Sequence, residues 1–141
     1  MIEIHKAVKK DVEAMCTFDH VAQCDGKRKE FISNAVRAGH CWVALFAHQI
    51  VGFVVLEYAF YGNGFISLIY IHSDFRRRGI GSALMRHAEA LCRTEKLFTS
   101  TNQSNRSMQA LLDKLEYARS GIIENLDEAD PELVYFKRLR K

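Results

Sequence analysis

The sequence predicts an α/β (α+β) fold: a mixed, mostly antiparallel central sheet with one parallel βαβ pair and helices on both faces. Three observations carry this. Segments rich in β-branched and aromatic residues run from residue 41 to residue 71, broken only by short turn signals, and read as an antiparallel meander. A strand, a helix pattern and a further strand then follow one another across residues 65–101. A connection of that kind joins parallel strands by a right-handed crossover. Helical periodicity flanks this core in the chain, from Asp11 to Ala38 before it and over residues 105–115 after it.

The elements follow in order. IEIHKAV, residues 2–8, alternates apolar and polar side chains as a strand does. From Asp11 the apolar positions Val12, Met15, Cys16 and Phe18 recur at helical spacing. Residues 27–38 predict a second helix with Phe31, Ile32, Ala35 and Val36 on one face, stopped by Gly39. CWVALF and IVGFVVLEYAF are strands, and the short AHQ between them makes a hairpin. YGNG, residues 61–64, is the next turn. FISLIYI, residues 65–71, is nearly continuously apolar, the pattern of a strand covered on both faces. Residues 82–94 predict a helix with Leu84, Met85, Ala88, Leu91 and Cys92 on one side, and KLFTST, residues 96–101, returns as a strand. Residues 105–115 form another helix striped by Met108, Leu111, Leu112 and Leu115. SGIIENL and ELVYFKRL close the fold as two strands around an acidic loop.

Composition narrows the class of protein. A chain of 141 residues, 48% hydrophobic and 26% charged, is read as one globular domain over residues 1–141. No apolar run approaches the roughly eighteen residues of a membrane span, and the first fifteen residues lack the apolar stretch of an export signal. A cytoplasmic protein with no membrane partner is expected. The net charge of +3, from 20 basic against 17 acidic side chains, is too mild to indicate nucleic acid, and no basic-aromatic stripe is present. Its placement is more telling: basic residues gather at 27–29, 76–78 and 137–141, acidic ones at 124–132. Cys16, Cys24, Cys41 and Cys92 contain no CxxC pair, and the helical spacing of His20 and Cys24 has no second pair to complete it, so no metal is expected.

The most informative stretch is FRRRGIGSAL, residues 75–84, where a buried strand gives way to a helix. A helix start carries unpaired N–H groups and partial positive charge, which suits an anion. Gly79 and Gly81 let a ligand approach the main chain, and Arg76, Arg77 and Arg78 raise the local potential. Phosphate is the natural ligand. A dinucleotide fingerprint is excluded because Leu84 stands where its third glycine belongs, and no Walker loop is present.

Arg76-Arg77-Arg78-Gly79-Ile80-Gly81 resembles the [QR]-x-x-G-x-[GA] loop of the GNAT superfamily of acyl-CoA-dependent N-acetyltransferases. NRSMQALLDKLEY, residues 105–117, is similar to that family's N-x-x-A-x-x-L-Y-x-x-x-G-F segment, and the order β-α-α-β-β-β-α-β-α-β-β is similar to its fold over nearly the whole chain. The resemblance implies an enzyme that moves an acetyl group from acetyl-CoA, its cosubstrate, to a primary amine by direct attack in a ternary complex. It implies that the amides from Arg77 through Gly79, Ile80 and Gly81 to Ser82, with Arg76 flanking, hold the coenzyme pyrophosphate. The backbone of Ile69, Tyr70 and Ile71 would pair with pantetheine, and an N–H near Tyr70 or Ile71 would polarise the thioester carbonyl. The strand at 96–101 would splay away to leave a slot. Asn105 matches the family asparagine that meets the pantetheine arm; capping the helix is the alternative role.

The family pattern breaks at Leu112, where a tyrosine acid is frequent, and at Ser67, where a carboxylate base often stands. Glu116 and Tyr117 replace a glycine and a phenylalanine. A base is still needed, because an alkylammonium of pKa about 10 must lose a proton before it attacks. Glu57, on the neighbouring strand, and His72, directly after the coenzyme strand, are the candidates; a solvent-facing strand charge and a strand-terminating loop residue are their alternative readings. The carboxylates Glu124, Asp127, Glu128, Asp130 and Glu132 would draw a cationic acceptor, or form a merely solvated loop, and Tyr58, Phe60 and Tyr61 would offer an apolar wall. The acceptor is then a small polyamine-like or amino-sugar molecule or a lysine side chain, and a homodimer is among the expected partners. An acetyl-CoA-binding module without transferase chemistry is the competing reading.

Overall fold

The computed structural model describes residues 1–139, so Arg140 and Lys141 of the basic run at 137–141 lie outside the described residues. Among the described residues seven strands form one sheet in the order β1-β2-β3-β4-β5-β7-β6: β1 (Ile2–Lys6), β2 (Cys41–Phe46), β3 (Gln49–Phe60), β4 (Asn63–Ile71), β5 (Lys96–Asn102), β6 (Ala118–Ile123) and β7 (Glu132–Arg138). Five α-helices accompany them among the described residues: α1 (Val12–Phe18), α2 (His20–Cys24), α3 (Gly26–Ala38), α4 (Ile80–Leu91) and α5 (Arg106–Lys114). The predicted mixed sheet is present. β4 and β5 run parallel, joined through α4, whereas β1/β2, β2/β3, β5/β7 and β6/β7 are antiparallel. Among the described residues no helix is long and apolar enough to cross a membrane.

The chain clusters into two compact units. The first comprises Met1–Leu56 with Leu68–Ala90. Its core gathers Met15, Phe18, Ile32, Val36, Val43, Phe53 and Val55, with Leu68 and Tyr70 of β4 packed against it. Each large apolar side chain buried this way contributes about 1.5–3 kcal/mol. The β2–β3 hairpin turns at Ala47 and His48, both with positive φ (52° and 67°), the geometry that matches strand twist. α3 ends as predicted at Gly39, whose φ of 79° places it in the left-handed region. Phe31, expected on the buried face, is instead 36% exposed, because Ile32, Ala35 and Val36 alone fill that face.

Where one helix was expected before residue 27, two occur. The chain breaks at Asp19, whose extended conformation (ψ 102°) ends α1 and lets its carboxylate cap α2 through the Val21 and Ala22 amides. Asp19 is wholly buried, and its second oxygen accepts from Arg28 Nε at 2.9 Å. Arg28 lies on α3, so the elbow is held by a contact between helices as well as by its local cap.

The second unit comprises Glu57–Ser67 and the chain from Leu91 onward. The predicted turn at 61–64 contracts to Tyr61 and Gly62, with Asn63 and Gly64 already in β4. Gly64 has to be bare: a Cβ there would lie 2.5 Å from Cys92 Sγ. α4 starts two residues earlier than predicted and ends at Leu91, which is 40% exposed, while Cys92 beyond it is buried. β7 inserts between β5 and β6, leaving β6 as an edge strand whose six residues are all exposed. β4 departs from expectation too. Only Gly64 and Ile66 are buried, and the residues from Ser67 to Ile71 are half-buried.

Candidate active site

In the first unit, β4 leads through His72 into a short 3-10 turn, Ser73–Phe75, and then the arginine-glycine loop. Arg77 (φ 64°) and Gly79 (φ 83°) are left-handed, and this reverses the chain so that α4 can start at Ile80. Three amides at the head of that helix, those of Ile80, Gly81 and Ser82, have no carbonyl one turn back to bond. The first intrahelical bond is Ala83 N–H to Gly79 O, 3.0 Å. A Cβ built on Gly79 meets nothing within 4 Å, so the space beside that residue is open. The Ile80 side chain is 1% exposed and anchored in the core, which leaves only its main chain for a ligand.

The three arginines divide by contact. Arg76 donates through Nε to Ile71 O at 3.3 Å and lies 5.7 Å from the Tyr70 ring centroid. Arg78 lies over Phe46 and Phe75, at 5.7 and 5.3 Å. Among the described residues Arg77, exposed at the apex, makes neither kind of contact, so its guanidinium is free to meet an anion. Tyr70 is held from several sides: Phe18 and Phe53 stack on it at 6.3 and 6.2 Å, Arg28 sits 5.7 Å from its centroid, and the His20 amide reaches its hydroxyl at 3.4 Å.

His72 is placed by the same loop. Its Nδ1 accepts the Asp74 amide at 3.1 Å, and its ring packs against Phe18 and Phe75 at 5.2 and 5.1 Å. With Nδ1 occupied, the neutral ring carries its proton on Nε2. This is the strand-terminating role. Ile69 and Ile71 are half-buried strand residues on either side of Tyr70. Further along α4, burial against the Trp42 region, with ring centroids 6.1 Å apart, pushes the pKa of His87 down.

In the second unit, Glu57 of β3 and Ser67 of β4 come together: the Ser67 hydroxyl donates to Glu57 Oε2 in a short hydrogen bond, and both residues are half-buried. In sequence Ser67 stands where a carboxylate is expected and Glu57 is a separate candidate; the fold makes them one group. The signal in the sequence was only that two polar residues interrupt otherwise apolar strands. A ladder of aromatic rings lies on the adjoining strands. Phe60 stacks on Phe65 at 4.7 Å, approaches Phe98 at 5.2 Å, and Phe98 stacks on Phe136 at 5.7 Å. Of the expected wall, Phe60 belongs to this ladder, Tyr61 is 89% exposed, and Tyr58 lies under the Arg93 guanidinium at 4.1 Å.

The parallel ladder between β4 and β5 covers Gly64–Ile66 against Leu97–Thr99, although β5 runs on to Asn102. Asn105 caps α5: its Oδ1 accepts from Met108 N at 3.1 Å and from Ser107 Oγ at 3.2 Å. Leu112, at the family's acid position, is completely buried, and Tyr117 is 5% exposed. The acidic loop is pinned rather than loose. Asp127 accepts from Asn102, Asp130 from the Ser104 amide and hydroxyl, and Glu132 from Ser100 at 2.7 Å. Glu124 and Glu128 stay exposed beside a cavity of about 380 Å³ lined by this loop.

Residues 5–117 match the model described as the acetyltransferase (GNAT) family. Among solved structures, a GNAT-family acetyltransferase from Bacillus cereus ATCC 10987 is 33% identical, with a TM-score of 0.93 over 100% of this chain and 99% of that one. Ard1 from Thermoplasma volcanium is 20% identical, with a TM-score of 0.87 over 99% of each chain. An acetyltransferase from Bacillus anthracis str. Ames, solved in complex with acetyl coenzyme A, is 19% identical, with a TM-score of 0.66 over 71% of this chain and 62% of its own. The last two show the fold alone. No curated protein matches this chain.

Proposed function

The chain belongs to the acetyltransferase (GNAT) family and is an N-acetyltransferase, and from that premise we propose that it moves the acetyl group of acetyl-CoA to a cationic primary amine by direct attack in a ternary complex. The observation that carries this reading is the loop before α4. Left-handed Arg77 and Gly79 present unpaired helix-start amides beside open space, which is what a diphosphate needs. The Bacillus anthracis acetyltransferase, solved with acetyl coenzyme A, supports the choice of donor.

In this reading the amides of residues 77–82 take the pyrophosphate and Arg77 supplies the free charge. Arg76 and Arg78 stiffen the loop through Tyr70, Phe46 and Phe75. The backbone of Ile69, Tyr70 and Ile71 aligns pantetheine, and the Tyr70 or Ile71 amide faces the thioester oxygen. Asn105, its Oδ1 committed to the cap, has Nδ2 left for the pantetheine arm. Glu57 is the base in preference to His72, whose Nδ1 already has a partner. Leu112 cannot donate a proton, and none is required: an ordinary thiol has a pKa near ~8.5, so the thiolate is a tolerable leaving group.

Residues 1–141 act in this reading as one acetyltransferase domain. The acceptor is a cationic amine, a small polyamine-like or amino-sugar molecule or a lysine side chain, drawn by the carboxylates of residues 124–132. The test is a thiol-release assay over cationic, neutral and acidic amines, with thermal shifts for acetyl-CoA, NAD and ATP beside it. Release that requires acetyl-CoA and favours cationic amines is expected. Stabilisation by acetyl-CoA with no amine-dependent release would mean a binding module, the reading that buried Leu112 favours. No stabilisation by acetyl-CoA would remove the donor assignment.

A further inference from the structure

We infer that Ser67 is itself a catalytic residue, a hydroxyl relay that carries the acceptor's proton to Glu57. The inference rests on the transferase reading above and deepens it. β4 is the strand that the donor is proposed to line, and Ser67 lies on it three residues before Tyr70; Glu57 is on β3, one strand further out. The carboxylate is therefore displaced from the strand on which a base would meet the amine directly. The hydrogen bond from Ser67 Oγ to Glu57 Oε2 bridges that displacement. A hydroxyl has one proton to give and lone pairs to receive another. Ser67 can therefore accept from an ammonium while donating to Glu57, and Glu57 Oε2 is reached through it.

The step balances. One N–H proton of the ammonium passes to Ser67 Oγ as the Ser67 proton passes to Glu57 Oε2, leaving a neutral amine, an intact serine and a protonated Glu57. The amine lone pair forms the new C–N bond at the acetyl carbonyl. The C–S bond breaks with its electron pair on sulfur, and a proton is lost from the nitrogen. The products are the acetamide and the thiol, with one proton released to solvent.

The experiment measures kcat and the KM values of acetyl-CoA and of the amine that the wild type acetylates, in Ser67→Ala, Glu57→Gln, the double variant, and the exchanged pair Glu57→Ser with Ser67→Glu. Folding is checked by melting temperature and by retained stabilisation with acetyl-CoA. A general base contributes about 10²–10⁴-fold, so kcat in Ser67→Ala should fall at least about 10²-fold with the acetyl-CoA KM unchanged. The double variant should be no worse than Glu57→Gln, since two members of one path fail together. The exchanged pair, which puts the carboxylate on β4, should recover most of the rate. If folded Ser67→Ala turns over like wild type, or if the two single losses multiply in the double variant, the relay is wrong. A wild type that acetylates no amine would instead remove the transferase reading, a separate and earlier failure.

Discussion

Gly79→Ala probes the loop through backbone conformation alone. An added Cβ at residue 79 meets nothing within 4 Å, so no steric collision enters. What remains is the φ of 83°, a left-handed conformation that costs an L-residue about 1–2 kcal/mol. Alanine also narrows the unfolded ensemble, which returns about 0.4–1 kcal/mol. The net loss is about 1 kcal/mol, or about 4 °C in melting temperature for a chain of this length. If the loop instead relaxes out of the left-handed region, the amides turn away from the ligand. The strain then appears as acetyl-CoA binding weaker by about 5–30-fold. Gly62→Ala is the matched control, with φ 77° and equally open space, in a turn remote in sequence from the loop. Calorimetric titration with acetyl-CoA and thermal melts on both variants separate the effects. Both should melt lower; only Gly79→Ala should bind acetyl-CoA more weakly. Equal affinity in the two variants would refute the idea that the left-handed glycine shapes the donor site.

Two further outcomes follow from the first unit. Asp19→Asn should destabilise the protein toward the low end of the ~3–5 kcal/mol expected for breaking a buried pair, because Arg28 keeps 20% of its side chain exposed; a urea midpoint within error of wild type would contradict that. His87 gives stability a pH dependence. Its folded pKa is lowered from 6.5 by burial, so the folded state resists a proton that the unfolded chain takes up. Stability should therefore fall as pH drops through 6.5 and level off below the folded pKa. Urea midpoints at pH 7.5 and 5.5 in wild type and His87→Leu test this, and an equal acid loss in both proteins would exclude His87 as the cause.

Local patterns made most of the architecture legible. The β-branched and aromatic runs at residues 41–71 and the helix stop at Gly39 depend on neighbours within a few positions, and the structure places those elements within a residue or two. The elements that slipped are those whose outcome depends on distant residues. The break between α1 and α2 falls at Asp19, whose carboxylate is buried and paired with Arg28 of α3. β4 reads as fully covered but is half-buried past Ile66, since apolar composition does not say how much of a face its neighbours cover. The position of β7 between β5 and β6 is likewise a matter of long-range pairing.

The candidate site divides along the same line. By itself the sequence determined the arginine-glycine junction, the parallel βαβ unit that holds it and, through motif and order together, the family. All of these rest on short-range spacing, where helix-start amides and glycine backbone freedom follow from the residues alone. Only the tertiary structure decided that Arg76 and Arg78 are packed on aromatic rings while Arg77 is not, that His72 closes a turn, and that Glu57 and Ser67 form one hydrogen-bonded pair. Such choices are set by which side chains two strands bring face to face, and strand pairing depends on the whole sheet rather than on any window of sequence.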